Sequence, residues 1–189
     1  MPNPAPGQPV FFYDLADPEC YLAAERVMFE LAVVPEWEPV LAAELGLELT
    51  RDVNRIEWLA AERGLQPLRW PPAWPPDSRQ AMLAATYAKR IGRGVAFSLA
   101  AFRQAFAGGR DLGDRDTILI AGAGCEMHPS ALLKGIALRS VTDALASAVA
   151  RAHAAGVRAL PAVQVEDAVF TGEDAITDAV SALDAQGVR

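Results

Sequence analysis

The sequence predicts an α/β domain interrupted by a long helical block, and three observations predict it. An aromatic-rich apolar run opens the chain and passes directly into helical periodicity. A stretch from Asp52 to about Ala155 is Ala-rich and helical nearly throughout. The chain then returns to two short apolar runs and a closing amphipathic helix. With 189 residues, 52% of them hydrophobic, one sizeable core is expected.

The elements follow in order. "PVFFYDL", bounded by Pro9 and Pro18, reads as a buried strand. From Pro18 onward Tyr21, Leu22, Val27, Met28 and Leu31 recur at helical spacing, with Glu25, Arg26 and Glu30 between them. "EWEPVLAAEL" supplies a second strand around Trp37 to Leu41, which completes a βαβ unit. In the helical block, "VNRIEWLAAERG" stops at Gly64, and "DSRQAMLAATYAKRIG" starts at Asp77 or Ser78 and stops at Gly92. "GVAFSLAAFRQAFAGG", "DRDTILIAGAG", "HPSALLKGIA" and "SVTDALASAVARAHAAG" add four more helices. "QPLRWPPAWPPD" holds too much proline for a helix or a central strand. "ALPAVQVEDAVFTG" reads as two strands around a turn at Glu166-Asp167, and "EDAITDAVSALDAQG" closes the chain as a helix.

Composition excludes several function classes. A net charge of −7 with scattered arginines argues against nucleic acid as a partner. The amino-terminal "MPNPAPGQPV" has neither a basic nor an apolar signal region, and no charge-free stretch of 18 apolar residues offers a membrane span. Two cysteines, Cys20 and Cys125, are too few for a disulfide framework and fit a reducing, cytoplasmic setting. Cys125 and His128 form C-x-x-H, and with His153 as the only other histidine no second half-site exists, so no metal is expected.

Taken together, "FFYDLADPECYLAAERV", "WEPVLAAEL", "GVRALPAVQVEDAVFTGED" and, more loosely, "WPPDSRQAMLAATYAKRIGRGVAF" resemble the DsbA-like branch of the thioredoxin superfamily. Within that branch they are most similar to kappa-class glutathione transferases and 2-hydroxychromene-2-carboxylate isomerases. The resemblance implies a thioredoxin-like domain over 1–50 and 145–189, with an inserted helical domain over 51–144. It further implies a cis proline at Pro161, glutathione as a cofactor, a small-molecule substrate and a homodimer. Leu160, before the proline, would offer main-chain groups to a thiol ligand. Asp174, in "FTGED", would pair with the glutathione ammonium, with Glu173 beside it. Ala175 stands where family members usually carry a basic residue, and both acids can equally serve the dipole of the last helix.

The most informative stretch is "DPECYLAAERV". In redox members of the family two cysteines occupy the positions of Asp17 and Cys20; in the transferases and isomerases the first is a serine. With Asp17 there, no dithiol–disulfide cycle can run at this site. Asp at the cap, Pro next and Glu after it also make a strong helix start in its own right. Three readings stand: Asp17 as a general base or anchor in glutathione-linked isomerisation or transfer on an apolar or aromatic electrophile; Cys20 as a single reactive thiol of an oxidoreductase; or a non-catalytic binding or dimerisation member. Trp70 and Trp74 are candidates to shape the acceptor pocket, while "RWPPAWPP" could alternatively serve as a polyproline ligand.

Overall fold

The structure is a computed structural model that describes residues 7–187. Residues 1–6 and 188–189 of the expected thioredoxin-like domain lie outside the described residues.

The apolar opening run becomes β1 (Val10–Tyr13), buried along its whole length, as expected for an inner strand rich in aromatic side chains. It leads through a tight loop into α1 (Pro18–Ala24) and α2 (Val27–Glu30). A single helix through Leu31 was the expectation. It is broken instead at Glu25 and Arg26, where Glu25 accepts two hydrogen bonds of 2.7 Å from the Arg103 guanidinium. Next comes β2 (Glu36–Pro39), two residues short of the expected Leu41. Proline has no N–H for the ladder, and β2 tolerates Pro39 because it is an edge strand.

After a 3-10 turn at Ala43–Leu45 the chain runs through α3 (Val53–Glu62), α4 (Arg79–Arg90), α5 (Gly94–Phe106), α6 (Arg115–Ala123), α7 (Pro129–Ile136) and α8 (Arg139–Ala155). Asp52, Asp114 and His128 cap α3, α6 and α7 by accepting hydrogen bonds from the first-turn N–H groups. Small buried residues (Ala81, Ala84, Ala85 and Ala88 on α4; Ala101 and Ala105 on α5) let these helices approach closely. The limit is reached where α7 crosses α4: a Cβ on Gly135 would lie 2.4 Å from the Tyr87 ring.

The chain returns as β3 (Ala162–Val165), a turn at Glu166-Asp167, and β4 (Ala168–Thr171), then closes with α9 (Ala175–Ala185). Among the described residues the sheet has four strands in the order β2-β1-β3-β4. β1 and β2 are parallel, with Phe11 opposite Trp37; β3 runs antiparallel to both β1 and β4. On one face Phe11, Tyr13 and Trp37 form an aromatic cluster that reaches Phe102 of α5. The Tyr13 hydroxyl meets Ser98 of α5 at 2.6 Å, tying sheet to helical block in the core. On the other face the buried Glu38 of β2 is held by Lys89 and Arg151, each at 2.9 Å. No helix among the described residues is long and apolar enough to cross a membrane.

Candidate functional site

The β1–α1 loop carries two acids three residues apart, both buried. Asp14 is only 2% exposed. One of its oxygens accepts from the Ala16 N–H and the other from the Ala42 N–H, each at 2.9 Å, which binds the loop after β1 to the loop after β2. Burial raises its carboxyl above the usual carboxylate range, opposed by those two N–H groups and by the Ser78 hydroxyl. Asp17 is 8% exposed and caps α1, accepting from the N–H groups of Glu19 (2.8 Å) and Cys20 (3.3 Å). Its carboxyl is pushed up to about 7, chiefly by burial and further by the charges of Glu19 and Asp14, against the two capping N–H groups. A group titrating there can both take and give a proton at neutral pH.

Cys20 points the other way. Its side chain is fully enclosed in the core, and burial followed by the nearby Asp17 charge pushes its thiol well up. Cys125 is buried as well, donating to the Ala121 carbonyl, and both cysteines are free. His128 caps α7 instead of joining Cys125, and the described residues contain no cluster of His, Cys, Asp or Glu suited to a metal ion.

The Leu160–Pro161 peptide is cis and lies at the start of β3, where the Pro161 carbonyl accepts from the Gly172 N–H at 2.8 Å. Leu160, together with Asp17, Glu19, Leu47, Glu48, Leu49 and Arg158, lines a groove of about 300 Å³. Against it lies a larger cavity of about 710 Å³, lined by Asp14, Leu41, Ser78 and Trp74 with its neighbouring prolines. Ala42, Leu47, Glu48 and Leu49 wall both, so a single segment separates them. Of the two tryptophans, Trp74 lines the cavity. Trp70 stands behind it, with ring centroids 5.7 Å apart, its indole N–H on Glu57 and the Arg51 guanidinium over both rings.

Glu173 and Asp174 are placed differently from one another. Glu173 pairs with Arg55 and, at 3.7 Å, with Arg63, and Arg55 also binds Glu19 in the first turn of α1. The negative charge of Glu173 is thus neutralised by Arg55 of α3 and by Arg63 at its end. Asp174 occupies the cap position of α9 without a side-chain capping bond. Asp14 is the site residue that sequence reasoning passed over. Its signal was an acid at the end of an otherwise apolar strand. The partners of Glu173 and the wall at 47–49 left no pattern of their own.

Residues 10–184 match the model of the DSBA-like thioredoxin domain. The chain belongs to this family. Among solved structures, the DSBA-like fold here is similar to 2-hydroxychromene-2-carboxylate isomerase, with a TM-score of 0.82 and 16% identity over 95% of each chain. It is also similar to a probable DsbA oxidoreductase from Streptomyces coelicolor, with a TM-score of 0.77 and 19% identity over 96% of this chain and 91% of that one. A third is the cytosolic disulfide reductase DsbM from Pseudomonas aeruginosa, solved with GSH, with a TM-score of 0.67 and 16% identity over 95% and 98% of the two chains. No curated protein sequence matches this one. At these identities the similarities establish the DSBA-like fold, and an isomerase and thiol oxidoreductases share it.

Proposed function

We propose that the protein binds glutathione in the groove beside Leu160 and Asp17, and acts there on an apolar or aromatic electrophile held in the larger cavity. One observation carries the reading: Asp17, a buried carboxyl pushed up to about 7, lies in a groove that shares a wall with a larger cavity whose apolar side is Leu41, Trp74, Pro75 and Pro76. In this scheme Asp17 takes the thiol proton as the sulfur attacks an electron-poor carbon of the substrate. The proton on Asp17 then passes to the carbanion or enolate so formed, completing thiol addition. Reversal of the addition after rotation about the former double bond gives isomerisation, with glutathione released unchanged. Leu160 offers its main chain to the thiol ligand, Asp174 its carboxylate to the ammonium, and Trp74, braced by Trp70, shapes the cavity.

The single-thiol reading draws no support from Cys20, which is enclosed and carries a raised thiol. The non-catalytic reading forecasts a stable dimer with no thiol-addition activity. Calorimetric titration with reduced glutathione tests the proposal: binding at ~1 mM or tighter is expected. Thiol addition to an aryl-substituted α,β-unsaturated ketone should then show an inflection near neutral pH that disappears in Asp17→Asn. Absence of glutathione binding overturns the reading. A homodimer belongs to the same proposal, to be checked by light scattering during size exclusion.

A further inference from the structure

The groove beside Asp17 contains an unmatched cation. Arg158 lies two residues before Leu160, exposed, in the segment that enters β3. Among the described residues its side chain makes one hydrogen bond, to the carbonyl of its own neighbour Val157, at a long 3.3 Å. No carboxylate among the described residues lies within ion-pairing distance of it. The other arginines around α1 differ. Arg55 is committed to Glu19 and Glu173, Arg63 to Glu173, and Arg26 to Glu30 through two short hydrogen bonds. Among the described residues lining the groove, Arg158 is the one cation.

The rest of the lining sharpens what that cation can do. Glu19 is already paired with Arg55, whereas Glu48 has no ion-pair partner among the described residues. Glu48, and Asp17 when ionised, therefore repel a ligand anion from much of the groove, and Arg158 is the place where an anion is welcome. A guanidinium presents a planar fork of N–H donors that fits a carboxylate bidentately, so it selects by geometry as well as by charge. Leu47, Leu49 and Leu160 supply apolar surface for the body of the ligand.

We infer that Arg158 is the specificity-determining residue of the groove, seating the carboxylate of an acid whose apolar part lies on the leucines. The inference shares with the proposed function the groove as a ligand site, and does not depend on glutathione as its occupant. It concerns a residue outside the acid–base step assigned to Asp17.

A matched pair of thiol-free probes tests it: 1-naphthoate against the neutral 1-naphthamide, titrated by calorimetry into the wild type and Arg158→Gln. The wild type should prefer the acid by on the order of tenfold or more, the usual scale for hydrogen bonds to a charged group. R158Q should lose that preference while binding the amide as the wild type does, and should unfold at the same temperature because the side chain is exposed. A preference that survives in R158Q, or a wild type that binds the acid no better than the amide, overturns the assignment. The probes carry no thiol. Arg158-dependent binding of naphthoate without binding of glutathione would therefore retire the proposed function and leave the assignment of Arg158 standing.

Discussion

Replacing Asp17 by Asn removes the ionisable proton while keeping an oxygen in place to accept from the Glu19 and Cys20 N–H groups. In the folded protein the Asp17 carboxyl titrates at about 7. In the unfolded chain it titrates at ~3.9. Between those two values the folded state holds a proton that the unfolded state has released. The stabilising share of the neutral acid is therefore complete below pH ~4 and is lost as pH rises through ~7. At ~1.4 kcal/mol for each pH unit over a span of about three, the ionised carboxylate costs on the order of 4 kcal/mol above pH 8. Wild type and D17N should thus unfold at nearly the same urea concentration at pH 4. They should diverge progressively, with D17N the more stable by up to ~4 kcal/mol at pH 8. Asp14 and Glu19, also raised by burial, are present in both proteins, so the difference reports Asp17 together with its coupling to those two acids. A stability difference independent of pH would refute the buried, near-neutral Asp17 on which the acid–base reading stands.

Three further outcomes are expected. Lys89→Met strips one of two cations from the buried Glu38 and should lower unfolding free energy by about 2 kcal/mol, since Arg151 remains; a loss under ~0.5 kcal/mol would show the cluster to be solvated. Gly135→Ala should destabilise by ~1–3 kcal/mol despite the better helix propensity of alanine, because its Cβ would enter the Tyr87 ring; a neutral or stabilised variant in thermal denaturation would contradict that packing. Iodoacetamide should leave both cysteines unmodified in the native protein and label them after denaturation; native labelling of Cys20 that titrates below ~8.5 would revive a reactive thiol.

Much of the architecture was legible because local chemistry and tertiary need coincide. "VFFY" is apolar at every position, which suits a strand buried on both faces. Asp17-Pro18 is a helix start in any context, and Glu166-Asp167 sits between two short apolar runs as a turn should. Where one helix was expected from Pro18 to Leu31, the break at Glu25 coincides with a contact from Arg103, 78 residues away in the sequence. No periodicity could report it.

The site divides along the same line. By itself the sequence determined the fold family, the loss of a dithiol cycle at Asp17, and the candidacy of Asp17, Leu160 and the tryptophans, because these rest on residue identity and short spacing. The direction of the Asp17 titration could not be read there, since it depends on how much water the fold leaves around one carboxyl. Nor could the neutralisation of Glu173 by Arg55 and Arg63, the enclosure of Cys20, or the isolation of Arg158. Each is set by which charges and apolar surfaces the folded chain brings together or keeps apart, and tertiary packing alone decides that.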